Sequence, residues 1–414
     1  MLMMHRSDGH KGGAQIQMGR IKDGLTSQGF NASILCRDAC RADSILMPAS
    51  RSERWIKKIT QKVGLNDIHL ISSFRVKDLD AFVQTDILDI HCTHSETFSY
   101  LALPSLCNLK PTVFTVHDMW PITGHCHASL DCDKWKSGCG KCPYLEIDPS
   151  VKRDATAIEW KLKQWIYKKS SFSVIVPSRW MRNQVASSML HRHPIHVIPH
   201  GVDTDLYKPL ERNHCRSILG IPQGKMVILC GMECVTRRLK GIHLLIDAVN
   251  SLPLSVRKDC VLVFFGGSNP ITVSQFRIPV VNLGYLNEDY EKAIAYSCAD
   301  LLIQPSIAES FGLVALESIS CGTPVVAFNV DAIPEIVRPG ITGVLANSVC
   351  ATSLCDSIRD ILAHKDRLRA LQRSCRDVAL TEYRLSNQVS RYAEVYRETI
   401  ERFRGIKYKK SGNQ

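Results

Sequence analysis

The sequence predicts an α/β protein built from two doubly wound parallel-sheet domains, and three observations carry that prediction. Short continuous apolar runs alternate with amphipathic helical patterns almost throughout the chain. Strands that are apolar on both faces belong in parallel sheets covered by helices on both sides. The pattern occurs twice, broken at "PHGVDTDLYKPLERNHCRSILGIPQG" (199–224), a stretch rich in Pro, Gly and Asp. The length, 414 residues, exceeds one ordinary core and suits two domains of roughly 200 residues each.

Taken in order, "MLMMHRSDGHKGG" leaves little room for a first strand before its glycines; either that strand is short or the start is clipped. It has no apolar stretch of the kind a secretory leader needs. In the first half "NASILCR", "ILDIHCTH", "PTVFTVHD", "FSVIVPS" and "PIHVIPHG" read as strands. In the second half "KMVILCGM", "CVLVFFGG", "VVNLGYL", "DLLIQPS", "TPVVAFNV" and "TGVLAN" do. "KGIHLLIDAVNSL", "DYEKAIAYSCA" and "LVALESISC" are amphipathic helices between them. The expected division is 1–200 for the first domain, 201–385 for the second, and 386–414 for a helix packing back on the first and ending in a basic tail. Two such sheets are expected to face a cleft, with ligand at the strand C-terminal ends.

Composition narrows the function classes. Hydrophobic residues make up 45% and charged residues 22%, a globular composition. No run of about 18 apolar residues exists to form a membrane-spanning helix. Most of the 17 cysteines stand singly in apolar segments, which suits a reducing, cytoplasmic setting rather than a disulfide framework. The net charge is +12, but its basic runs are not interleaved with aromatics as a nucleic-acid surface would be. A solvated basic face, an anionic substrate and an anionic membrane surface, with the chain peripheral on an inner membrane, all remain open.

The strongest chemical signal is "PSIAESFGLVALESISCGTPVVA" (305–327). A strand ends in a loop carrying Glu309, and a helix opens at Phe311–Gly312 with Glu317 about one turn in. Ser310, Phe311, Gly312 and Leu313 form the turn and helix start, where free N–H groups suit a diphosphate. A carboxylate at Glu317 can accept two hydroxyl hydrogen bonds, as a ribose diol would offer. The bland alternative is two surface glutamates on an ordinary strand-to-helix turn.

The Glu-x7-Glu spacing within "ESFGLVALE" resembles the signature of glycosyltransferase family 4, retaining GT-B enzymes that use nucleotide-diphosphate sugars. "GGAQIQMGRIKDGLTSQGF", "VPSRW", "IPHGVDTDLYKP", "LKGIHLLIDAV" and "CGTPVVA" resemble further family segments in family order. The resemblance implies that Glu317 holds the ribose hydroxyls and Glu309 the donor sugar. It implies that Lys240 neutralises the diphosphate leaving group, that Gly12 and Gly13 admit backbone amides to it, and that His117 sits beside the reacting centre. His117 also fits as a satisfied strand-end histidine, and Asp118 reads as structural. No cofactor is needed for that catalysis, and the acceptor would be a glycan, lipid-linked in exopolysaccharide assembly. One departure stands out. The family usually has arginine directly after a glycine where this chain has Met232, in "CGMECVTRRLKG"; Arg238 is the candidate to take over the phosphate contact. The rival readings are a catalytically silent relative, a nucleotide-sugar epimerase on the same scaffold, and a zinc-bearing nucleic-acid-binding protein.

"HDMWPITGHCHASLDCDKWKSGCGKCP" (117–143) holds Cys126, Cys132, Cys139 and Cys142. Only the last pair has zinc-knuckle spacing. A structural zinc held by four thiolates, reduced thiols in a packed lobe, and disulfides including a redox pair at Cys139 and Cys142 are all open. The segment resembles an insertion in a subset of these transferases, including those of colanic acid. Following His117, it is expected to hang over the cleft and shape acceptor selection.

Overall fold

The computed structural model describes residues 1–9, 12–267 and 273–411. It divides into two compact units, Met1–Pro199 with Gln388–Gln414, and His200–Asn387.

The first unit is built on a seven-stranded parallel sheet of order β3-β2-β1-β4-β5-β6-β7. Its strands are β1 (Leu2–Met4), β2 (Ser33–Cys36), β3 (Ile45–Leu46), β4 (Leu88–Ile90), β5 (Thr112–Thr115), β6 (Ser173–Val176) and β7 (Ile195–Val197). β1 has three residues, and it lies at the centre, with Met3 opposite both Ile34 and Asp89. The two-residue edge strand β3 has no apolar run to announce it. The chain winds outward from β1 to β3, then returns to β4 and winds the other way. The change of direction therefore falls between β1 and β4, where open α/β sheets place their ligand.

From Gln388 on, the helix Leu385–Ser411 packs on this first sheet. The Tyr396 hydroxyl donates to Asp89 Oδ2 at 2.6 Å, and Thr399 shares a hydrogen bond with Ser173. Val389 lies so close to Gly24 that a Cβ there would come within 2.5 Å of its methyl.

The second unit carries a six-stranded parallel sheet, order β10-β9-β8-β11-β12-β13. These are β8 (Met226–Met232), β9 (Cys260–Gly266), β10 (Val280–Asn282), β11 (Leu301–Gln304), β12 (Val325–Phe328) and β13 (Gly343–Ala346). Here the direction changes between β8 and β11. β9, β11 and β12 are buried along their whole length, which explains their unbroken apolar runs.

The insertion 117–143 is anchored to the helix Thr156–Lys168. Trp120, Ile122 and Trp135 are buried in the main core of the first unit. The buried Lys163 donates to the carbonyls of Trp120 (2.8 Å) and Thr123 (3.1 Å), and its ammonium sits 3.1 Å from the centre of the Trp120 ring. Trp160 Nε1 donates to the Trp135 carbonyl and Tyr167 to that of Pro121.

Candidate active site

In the second unit two loops meet at the C-terminal ends of β8 and β11. Gly241 makes their approach feasible. It has φ 71°, and a Cβ there would lie 1.9 Å from the Pro305 carbonyl oxygen, so only glycine fits. Ile307 N donates to the Leu239 carbonyl at 2.8 Å and ties the loops together. The result is that Lys240 Nζ stands 2.8 Å from Glu309 Oε2, although 69 residues separate them. Gln304 Nε2, at the end of β11, lies 3.4 Å from the same oxygen. Asp331 fixes the loop from behind by accepting from Glu309 N at 2.9 Å. Burial, helped by the Glu309 carboxylate, pushes Asp331 up to about 6.

The helix Leu313–Ser320 begins at Gly312, which has φ 106° and offers no side chain over the free N–H groups of the first turn. Glu317 is on this helix, 6% exposed, and its Oε2 accepts from Tyr296 at 3.0 Å. That bond fixes the orientation of the carboxylate. Phe311 turns its side chain into the core, against His200 and Tyr383. Ser310 and Leu313 are half-buried. Any donor contact made by Phe311 must therefore come from its backbone.

Met232 ends β8 and is buried in the core, so its side chain leaves the place of the usual arginine without a cation. Arg238 is exposed, in the short 3-10 segment that also carries Lys240.

In the first unit Gly12 (φ 93°) precedes the helix Gly13–Ser27, which follows β1. His117 follows β5. Its Nε2 lies 3.0 Å from Nδ1 of His91, which follows β4, and the two rings stack. His91 Nε2 in turn meets Asp89 Oδ2 at 3.1 Å, and both side chains are completely buried. A carboxylate only accepts, so His91 carries its proton on Nε2 toward Asp89. In a neutral ring Nδ1 is then the acceptor, and His117 Nε2–H donates to it. Asp89 also accepts from Thr115 (2.8 Å) and Tyr396 (2.6 Å).

Beside this chain, His94 Nε2 pairs with Asp118 Oδ2 at 3.0 Å. Burial opposes charging His94, but the Cys92 sulfur and the Asp118 carboxylate override it, so His94 is held well above the ordinary histidine range. Burial likewise opposes charging Asp118, and His94 outweighs it, holding the carboxyl below its ordinary value. Burial pushes the neighbouring His5 down to about 3 and keeps it neutral. Asp118 Oδ1 also accepts from Trp120 N at 2.8 Å. His91, Asp89 and His94 were not singled out from the sequence. Their signal was "LDIHCTH", polar residues crowded at the end of an apolar strand.

The four cysteines of the insertion, with His125, line a small pocket of about 20 Å³. A tetrahedral zinc needs its donors around one centre at about 2.0–2.3 Å. Among the described residues no group of three or more His, Cys, Asp or Glu side chains is placed to hold a metal ion. The zinc set expected at Cys126, Cys132, Cys139 and Cys142 therefore does not fit this geometry. None of the seventeen cysteines is joined to another in a disulfide. Burial pushes the Cys126 thiol up to about 12 and the Cys139 thiol up to about 11. The Gly124 N–H donates to Cys139, and Cys142 lies 3.4 Å from His125 Nε2.

Two doubly wound parallel-sheet units with charged loops at their strand ends define the GT-B class. The Anabaena protein HepE, solved in complex with UDP-glucose, matches with a TM-score of 0.66 at 16% identity, over 96% of this chain and 99% of that one. The sequence assigns the family. The model described as Glycosyltransferase Family 4 matches residues 11–206, and that described as Glycosyl transferases group 1 matches 212–377. The chain belongs to glycosyltransferase family 4. It is 33% identical to D-inositol 3-phosphate glycosyltransferase 1 of Catenulispora acidiphila over 226 residues, 51% of this chain and 53% of that one. It is 26% identical to the putative colanic acid biosynthesis glycosyl transferase WcaC of Escherichia coli over 273 residues, 61% of this chain and 62% of that one. The chain thus spans only about half the length of the first of these curated relatives.

Proposed function

We propose that this chain is a retaining glycosyltransferase that moves a sugar from a UDP- or GDP-sugar to a glycan acceptor, lipid-linked, in cell-surface polysaccharide assembly. The observation that carries the reading is the Lys240–Glu309 pair beside the uncapped helix start at Gly312. Cleaving a nucleotide-diphosphate sugar builds negative charge on the leaving diphosphate. Lys240 and the first-turn N–H groups supply positive charge and hydrogen bonds where that charge would grow. Glu309, anchored through Asp331, is left to accept hydroxyls of the sugar. Glu317, held by Tyr296, keeps acceptor capacity for a ribose diol. In the first unit, the buried chain Asp89–His91–His117 holds His117 in one ring orientation, which suits a group that positions a sugar.

UDP is favoured as the nucleotide by the HepE complex with UDP-glucose, and the polysaccharide role by the similarity to WcaC. No helix among the described residues is long and apolar enough to cross a membrane. A lipid-linked acceptor would therefore be met at a membrane surface.

The test is thermal-shift and calorimetric binding of UDP, GDP and ADP to the whole chain and to Glu317→Ala. The expected result is stabilisation by one nucleotide and its loss in the variant. A folded protein that none of the three stabilises would sink the donor assignment. Retention is read from the anomeric configuration of the product by NMR.

A further inference from the structure

The helix Glu53–Lys62 is amphipathic with its faces exchanged. The residues it buries are Glu53 and Thr60. Trp55 is 73% exposed, Ile59 63% and the following Val63 47%, an i, i+4, i+8 stripe turned to solvent. A surface helix normally buries such a stripe. Here it cannot, because Glu53 fixes the rotation: its carboxylate accepts from Ser72 N at 2.8 Å and lies 3.7 Å from the Arg37 guanidinium. Lys57 pins the helix again through an ion pair with Glu96. Turning Trp55 inward would break these bonds.

The outward face is also cationic. Arg54, Lys58 and Lys62 run beside the apolar stripe at the same spacing, and Lys58 Nζ lies 5.5 Å from the Trp55 ring. Residues 51–63 hold five Lys and Arg against one carboxylate, and that carboxylate, Glu53, is the buried one. The next segment, Ile71–Asp78, tied to the helix through Ser72, adds exposed Ile71 and Phe74 with Arg75 and Lys77. An exposed Trp among aliphatic residues, flanked by lysines and arginines, matches the headgroup zone of an anionic bilayer: the apolar side chains enter and the cations pair with lipid phosphates.

We infer that this face, centred on Trp55 and Ile59, docks the chain on an anionic lipid surface. It gives the proposed lipid-linked acceptor reading its point of contact with the membrane, and its purpose rests on that reading. The binding itself is independent of donor chemistry.

The experiment is vesicle flotation of the whole chain with phosphatidylcholine alone and with phosphatidylcholine plus phosphatidylglycerol. Wild type and two double variants, Trp55→Ser/Ile59→Ser and Arg54→Glu/Lys58→Glu, are compared. All four side chains are exposed, so both variants should fold and keep their nucleotide thermal shift. Wild type is expected to partition onto the anionic vesicles at least about tenfold more than onto neutral ones, and less as salt rises. Each double variant is expected to lose about tenfold or more of that partitioning. Equal binding to both vesicles, or a Trp55→Ser/Ile59→Ser variant that floats like wild type, overturns the inference. So does a wild-type dimer in solution that this variant converts to monomer, since the face would then meet a second copy. Loss of the nucleotide shift in wild type is a separate failure, of the donor reading alone.

Discussion

Asp89→Asn tests the buried chain that orients His117. The Asp89 carboxylate accepts three hydrogen bonds, from His91 and Tyr396 on Oδ2 and from Thr115 on Oδ1. Asparagine has the same shape. With its carbonyl in the place of Oδ2 it keeps the first two bonds, and its amide donates to the Thr115 hydroxyl, which rotates to accept. The second amide hydrogen enters a buried place surrounded by donors, so the lost charge sets a lower bound on the cost. Hydrogen bonds to a charged group contribute about 1.5–3 kcal/mol and neutral ones about 0.5–1.5, so the two bonds on Oδ2 together lose about 2 kcal/mol. For a unit of this size that lowers the melting temperature by about 4–8 °C. Asp89→Ala strands all three donors and should cost clearly more. Tyr396→Phe, combined with Asp89→Asn, should show a coupling of about 1 kcal/mol, since both act on one bond. Differential scanning calorimetry reads all of these. A melting temperature for Asp89→Asn equal to wild type, or above it, would refute the reasoning. It would mean that the burial penalty of the carboxylate is not offset by its three donors.

Three further outcomes follow from the geometry. Gly241→Ala places a Cβ against the Pro305 carbonyl at a positive φ; the loop must lift, the Lys240–Glu309 pair should separate, and calorimetric nucleotide affinity should fall by about tenfold or more with the fold retained by circular dichroism. The His94–Asp118 pair should shape the stability profile with pH. Asp118 is depressed below 3.8, so its share is present above that value and lost as pH falls through the folded one. His94 is raised above 6.5, so its share is full below 6.5 and lost as pH rises through the folded value. Melting temperatures should therefore decline on the alkaline side of 6.5, and His94→Asn should flatten that limb. Lys163→Met removes the donor to two buried carbonyls and should cost about 2–4 kcal/mol, with faster proteolysis within 125–142, whereas a chelator should leave the wild-type melting curve unchanged.

Much of this protein was written locally. Eleven of the thirteen strands among the described residues lie in the apolar stretches read from the sequence, because a parallel sheet covered on both faces favours apolar side chains on both sides of each strand. Glu309, Gly312 and Glu317 were legible because one turn and one helix carry all three, at a spacing set by helical geometry. The edge strand at Ile45–Leu46 and the exchanged faces of the Glu53–Lys62 helix were not. Both depend on what lies beside them: β2 in one case, Ser72 and Arg37 in the other.

By itself, then, the sequence determined the α/β class, its two strand-and-helix halves and the Glu309–Glu317 spacing, since propensity, periodicity and short spacings are properties of neighbours along the chain. Only the tertiary structure decided which distant groups meet. It brought Lys240 to Glu309, because Gly241 lets two loops touch. It joined Tyr396, Asp89, His91 and His117 into one line, because β4, β5 and a helix whose Tyr396 lies 307 residues beyond Asp89 converge there. It also tied the insertion to the helix beneath it, through bonds from Lys163, Trp160 and Tyr167 that no cysteine spacing could announce.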